Sequence, residues 1–207
     1  SQSWAMMFYR EDILKELGFS SPSETWQELI DMLPAIQRNY MSVGLVLPSN
    51  NVSPVTETGN TFACLLLQKD INYYNSELNK SVLDSAECVS AFEQWTDFYR
   101  KYGFMQSYDA FSRFRTGEYP IIIADYTLFN KLEELAPEIK GLWNFTSVPG
   151  TLKDDGTVSH AENSNGTSAI IFNKDEDKKH KSWEFIKWFT SSEIQTEYSN
   201  RLEGTMG

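Results

Sequence analysis

The stretch AFSRFRTGEYPIIIADYTLF, Ala110 to Phe129, changes its hydrophobic period twice. Its first part carries a short helix over about 108–116 that stops at Gly117. EYPIIIADYT then reads as a buried strand that runs into a loop. LFNKLEELA returns to helical spacing and is ended by Pro137. Along the chain the signals read as helices joined by short strands.

Working towards the N-terminus, SVGLVLP reads as a strand, and SNNVSPVTETGN as a polar loop bearing Gly and Pro ahead of the helix TFACLLLQ. SWAMMFY reads as a buried strand, and REDILKELGF as a helix with Ile13, Leu14 and Leu17 on one face and Gly18 as its stop. Thr25 and Glu28 have capping-box spacing for a helix over about 26–39. Trp26, Leu29, Ile30, Leu33 and Ile36 form its apolar face, and Pro34 is expected to kink or break it. The longest helix is expected to open at Asp84, with Glu87 three residues on. Its face would be Val89, Phe92, Trp95 with Thr96, Tyr99 and Tyr102, ending at Gly103.

Towards the C-terminus, LWNFTSVPG precedes Asp155-Gly156, a pair that favours a tight turn between two extended segments. Trp143 either lines a cleft or covers the sheet, the second being favoured. The loop ENSNG then runs into TSAIIF, read as a strand. Asn173 with Glu176 caps the next helix, on which Trp183, Ile186 and Phe189 with Thr190 face one way. Core packing alone explains the spacing of Trp183, Phe185, Trp188 and Phe189. Ser192 and Gln195 repeat the capping pattern for a last helix near 193–201.

Composition excludes several functions. The chain has 207 residues, 41% of them apolar, enough to bury a core in one large domain or two small lobes. A net charge of −11 without any Lys/Arg-rich run would repel a polyanion, so no nucleic-acid partner is expected. No apolar run reaches the roughly 20 residues of a membrane span. The first residues have no signal-peptide pattern, so any export signal would lie outside this chain. Cys64 and Cys88 sit in apolar or helical patterns and read as small buried hydrophobes. His160 and His180 have no partner at metal-ligand spacing, and neither GxSxG nor a P-loop occurs, so no metal, cofactor or catalytic residue is expected. The N-x-S/T sequons at Asn51, Asn79, Asn144 and Asn165 carry no weight in an Asn- and Ser-rich chain.

The order of four segments resembles a known family. FYREDILKELGFSSPSETWQEL, AFSRFRTGEYPIIIADYTLF, FTSVPG and GTSAIIFNKDEDKKHKSWEFIKWFTSSEIQ look like the extracellular solute-binding proteins of carbohydrate ABC importers, the group of maltose-binding protein. LPAIQRNYM is similar to the lipoprotein branch of Gram-positive bacteria. The resemblance implies a type II periplasmic-binding-protein-like α/β fold, here mostly the second, C-terminal lobe, with helices around a short mixed sheet. Residues 1–8 would be a returning strand of lobe one, 9–146 the second lobe, and 147–207 a returning lobe-one segment. The chain looks like an excised piece, since family members carry a long segment before WAMMFY and a helical stretch after EGTMG.

The implied function is non-catalytic: a sugar or oligosaccharide held between two lobes and presented to the membrane subunits of a permease, in an extracytoplasmic and lipid-anchored parent. Such sites combine aromatic faces that stack on a pyranose with amides, hydroxyls and carboxylates that satisfy its hydroxyl groups. By position in the family, Tyr126 is the stacking candidate and Asp125 a hydroxyl acceptor, although the family's usual Gly and Trp are not matched here. Thr56, Glu57 and Asn60 precede a helix that points at the ligand. Asn163, Ser164 and Asn165 offer short donors and acceptors, and Gly166 allows close backbone approach. The rival readings are a glycoside hydrolase or its accessory carbohydrate-binding domain, and a protein–protein interaction domain using the acidic surface. The truncation implies weak sugar binding, and self-association if the strands AMMFY and SAIIF pair and leave an apolar face or edge bare.

Overall fold

The computed structural model describes residues 2–45, 61–105, 108–162, 165–166 and 168–203. It divides into two compact units, Gln2–Asn165 and Gly166–Gly207. In the first unit, a two-residue strand β1 (Gln2–Ser3) precedes β2 (Ala5–Arg10), the hub of a four-stranded mixed sheet. β2 runs antiparallel to β4 (Ile121–Asp125), with Ala5 opposite Asp125 and Tyr9 opposite Ile121. On its other side it runs antiparallel to β5 (Trp143–Thr146), with Arg10 opposite Trp143. β3 (Gly44–Leu45) lies parallel to β4, giving the order β3-β4-β2-β5.

Alternation along these strands divides the core into two. Ala5, Met7, Leu45, Ile121 and Ile123 face α1 (Glu11–Glu16), α2 (Trp26–Asn39), α3 (Thr61–Gln68) and α4 (Ala86–Arg100), meeting Leu14, Leu29, Leu65 and Phe98. Phe8, Ile122, Ala124 and Trp143 face α5 (Ala110–Arg115) and α6 (Leu128–Leu135) through Phe114 and Leu132. The Ile121–Ala124 run is therefore buried on both faces, which its uninterrupted apolar character permits. Trp143 covers the sheet, 6.0 Å from the Phe8 ring. Cys64 and Cys88 are buried thiols, as expected.

The Thr25 capping box forms: the Thr25 hydroxyl accepts the Glu28 amide at 3.1 Å, and Glu28 accepts the Thr25 amide at 3.2 Å. Of the kink or break expected at Pro34, the break does not occur: α2 is continuous from Trp26 to Asn39. Pro34 lies on the exposed side, so the carbonyl it leaves without a donor is on the solvent face, while Leu29, Leu33 and Ile36 anchor the other. α2 is tied to α3 and to the Pro149–Thr151 segment by the buried Gln68, which accepts from Trp26 Nε1 at 2.9 Å and donates to the Pro149 carbonyl at 3.0 Å.

α4 departs from the expected register. Ser85, not Asp84, is the N-cap, accepting the Cys88 amide at 3.2 Å. The buried stripe is Cys88, Ala91 and Phe98, which leaves Val89 and Phe92 about half exposed. Phe98 decides this by lodging between Trp26, at 5.0 Å, and Phe104, at 5.3 Å, between ring centroids. Gly117 ends α5 with φ +83°, a conformation that favours glycine. α6 ends in a 3-10 turn at Pro137–Ile139. The Asp155-Gly156 turn joins β6 (Thr151–Leu152) to β7 (Val158–Ser159) as predicted, and β8 (Asn165–Gly166) pairs with β1.

The second unit holds α7 (Glu176–Phe189) and α8 (Ser192–Glu203). Asp175 caps α7 by accepting the Lys178 amide at 3.1 Å, whereas Asn173 accepts the Asp175 amide, so the expected Asn173–Glu176 box does not form. Ser168–Phe172 is not a strand, and Ile170 and Phe172 are 70% and 87% exposed. A strand exists only through a neighbour's hydrogen bonds, and among the described residues none is offered. The expected pairing of AMMFY with SAIIF is therefore replaced: β2 spends both edges on β4 and β5. Trp183, Phe185, Trp188 and Phe189 have core spacing, yet α7 buries no residue and leaves them 52%, 59%, 55% and 36% exposed.

Candidate ligand-binding end of the central sheet

The register of β2 against β4 brings two aromatic residues together at one end of the sheet. Trp4 immediately precedes β2, Tyr126 immediately follows β4, and Ala5 is opposite Asp125. The Tyr126 amide donates to the Trp4 carbonyl at 3.0 Å. Their ring centroids are 6.2 Å apart with 31° between planes. Tyr126 is backed by Phe129 at 6.1 Å, nearly parallel, and by Phe145 at 5.9 Å, edge on. The Asp125 Oδ1 accepts the Thr127 amide at 2.9 Å, a side-chain turn that fixes the backbone of Tyr126 between them. Trp4 and Tyr126 nevertheless remain 40% exposed each, so the pair is a held aromatic surface rather than core.

Glu162 completes the cluster. Its carboxylate hydrogen-bonds to the Ala5 backbone and lies within electrostatic reach of Asp125. Among the described residues, its Oε2 is shut off from water without a hydrogen-bond partner. Burial pushes the Glu162 carboxyl up to about 7, against the Ala5 hydrogen bond and with help from the negative Asp125. Near neutral pH it is therefore divided between a form that only accepts and a form that also donates. Asp125 also lines a depression of about 340 Å³ with Tyr108, Asp109, Ala124, Thr127 and Lys131 among others. The chemistry of this end is an aromatic surface rimmed by carboxylates, suited to a ligand with an apolar ring face and polar substituents.

Of the residues singled out from sequence, Asp125 and Tyr126 adjoin one another here. Asn165 is in β8, which pairs with β1, the strand next to Trp4. Thr56, Glu57, Asn60, Asn163 and Ser164 lie outside the described residues. Trp4 and Glu162 were missed. Trp4 reads as part of an apolar run until the strand is seen to begin at Ala5, and Glu162 stands one residue before the amides and hydroxyl that drew attention. An acidic residue at the mouth of a polar loop was the available signal. Among the described residues no group of three His, Cys, Asp or Glu could hold a metal ion, and no helix is long and apolar enough to cross a membrane.

A family model for bacterial extracellular solute-binding proteins matches residues 1–205. Among solved structures, the sugar-binding protein MalE of the phytopathogen Xanthomonas citri superposes with a TM-score of 0.72 at 21% identity, covering 95% of this chain and 49% of that one. The cyclic α-maltosyl-1,6-maltose binding protein of Arthrobacter globiformis gives 0.68 at 19% identity, covering 96% and 49%. An ABC transporter solute-binding protein of Agrobacterium radiobacter K84, solved with ribitol, gives 0.68 at 18%, covering 98% and 50%. The chain thus spans about half the length of these proteins and has their mixed α/β, periplasmic-binding-protein fold. These relatives are binding proteins rather than enzymes, and the family is extracellular by description. The match over nearly the whole chain means that it belongs to the family of bacterial extracellular solute-binding proteins.

Proposed function

We propose that the chain is part of the substrate receptor of an ABC importer, binding a sugar or oligosaccharide and presenting it to the membrane subunits of a permease. The observation that carries this reading is the half-exposed Trp4–Tyr126 pair beside Asp125 and Glu162 at the end of the central sheet. Aromatic faces take the C–H side of a pyranose, while carboxylates take its hydroxyl groups. Sugar-binding neighbours of the same fold support the ligand class. In this reading 9–146 is the second lobe, and 1–8 and 147–207 are segments returning from lobe one. Asn163, Ser164, Asn165, Thr56, Glu57 and Asn60 contribute further polar contacts. The parent is a cell-surface lipoprotein, and closure of two lobes over the sugar supplies the shape that a permease reads.

The test is a thermal-shift panel of malto-oligosaccharides and pentitols at millimolar concentration. A ligand that binds only the folded form raises the melting temperature. Trp4→Ala and Tyr126→Ala are expected to abolish the rise, measured against each variant's own unliganded melting temperature, which falls because each ring is more than half buried. A sugar-induced rise unchanged in both variants would place the ligand elsewhere.

A further inference from the structure

Glu162 is the least expected feature of the site. The Ala5 amide bonds its carboxyl, while Oε2 is left closed to water with no hydrogen-bond partner among the described residues. A negative oxygen in that position gives up its hydration and gains nothing in return, and the Asp125 carboxylate adds to the cost. A neutral acid escapes both penalties. With a proton on Oε2, the one demand left is an acceptor for that hydroxyl.

The neighbouring groups leave that balance in place. Asp125, at the end of β4, acts on Glu162 directly, and β2 brings the Ala5 backbone. Lys131 and Asp109, opposite in sign, line the depression that Asp125 also lines. His160, two residues before Glu162, has its Nδ1 on the Val148 carbonyl at 2.8 Å. Trp4 and the Tyr126 phenol supply rings. A saccharide lying on those rings brings the missing acceptor, since Ala5 follows Trp4 and the carboxyl bonded to Ala5 borders the same surface. Glu162 is only partly covered as a residue, and the terminal torsion of a glutamate is soft, so its Oε2 hydroxyl can turn to a ligand oxygen laid beside it. A ligand there takes more water from the carboxyl and disfavours its charged form further.

Resting on the sugar-binding reading, we propose that Glu162 meets a neutral saccharide as an uncharged acid, donating from Oε2 to a ligand oxygen, so that a proton is held together with the sugar. The proton comes from solvent. The carboxyl of the unliganded chain is already raised to about 7, and the ligand raises it further, so affinity is full below about pH 6 and falls as pH rises past 7.

The experiment titrates the chain with maltose and, separately, with ribitol, at about pH 5.5 and about pH 8.5, following the tryptophan indole signals of the folded chain by NMR. Binding is expected to be at least about fivefold weaker at the higher pH. Calorimetry near about pH 7.5, in two buffers of different ionisation heat, should show uptake of roughly half a proton or more per ligand bound. Glu162→Gln, whose amide donates at every pH, should remove the pH dependence. Glu162→Leu, which cannot donate, should bind at least about fivefold more weakly than Glu162→Gln. If neither variant folds, the two measurements on the unaltered chain decide. Equal or tighter binding at the higher pH, or no proton uptake, overturns the donor role and leaves the sugar reading standing. So does a pH dependence that survives in Glu162→Gln, or Glu162→Leu binding as tightly as Glu162→Gln. Indole signals unmoved by either ligand at both pH values overturn both readings.

Discussion

Glu162 ties the site to the stability of the fold. Its carboxyl is raised from 4.5 to about 7, first by burial and then by Asp125, so the folded chain holds a proton that the unfolded chain has released. The contribution is complete below about pH 4.5, where both states are protonated. It is lost progressively as pH rises to about 7, where the folded group must ionise. Denaturant midpoints measured across that range should therefore fall with rising pH, and Glu162→Gln should flatten this part of the curve. An unchanged slope in the variant would show that other groups govern it. The same residue explains why the site was only half legible from sequence. Asp125 and Tyr126 announce themselves by following a buried strand, but Glu162 matters through its distance to Ala5 and Asp125, across a sheet register that no local pattern contains. Trp4 becomes a neighbour of Tyr126 through the same register.

At the scale of the element, local chemistry predicted what local chemistry decides. The Thr25–Glu28 box, the Gly117 stop, the Asp155-Gly156 turn and the apolar run of β4 all stand where the sequence places them. Thr25→Ala removes the hydroxyl that satisfies the Glu28 amide. It should cost about 1 kcal/mol, read as a lower urea midpoint at unchanged slope, while Thr25→Ser should cost less. An unaltered midpoint would mean that water replaces the cap fully. The errors concern tertiary packing. In α4 the two candidate stripes differ by one residue, and periodicity alone cannot separate Val89–Phe92 from Cys88–Ala91. The choice falls to Phe98, whose slot between Trp26 and Phe104 is made by residues far away in sequence. TSAIIF has strand composition, yet among the described residues Ser168–Phe172 has no strand to pair with, and pairing is a property of two segments.

For the whole molecule, the unit Gly166–Gly207 poses a problem of covering. α7 has 14 residues, a length at which an isolated helix is marginal in water, and none of them is buried. Trp183, Phe185 and Trp188 are 52%, 59% and 55% exposed, with Ile170, Phe172 and Tyr198 also bare. Phe185 and Trp188 adjoin on one side of the helix, with ring centroids 5.7 Å apart, and an exposed apolar surface of this kind marks an interaction site. Charge does not oppose contact through this face: the unit has six Lys and Arg against seven Asp and Glu, so nearly all of the chain's net −11 lies in the other unit. Self-association would then use the Phe185–Trp188 side of α7 rather than a bare strand edge, since both edges of β2 are occupied. Sedimentation velocity from micromolar to high micromolar concentration should show a monomer–dimer equilibrium that strengthens with salt, as the repulsion between the acidic units is screened. Trp188→Glu should weaken it by more than tenfold, because burying the exposed half of that ring contributes roughly 2 kcal/mol. A monomer at every concentration, with α7 still helical by circular dichroism, would refute the argument, for it would show that the contact of Phe189 with Tyr198 of α8, 5.7 Å between ring centroids, is enough to hold the helix.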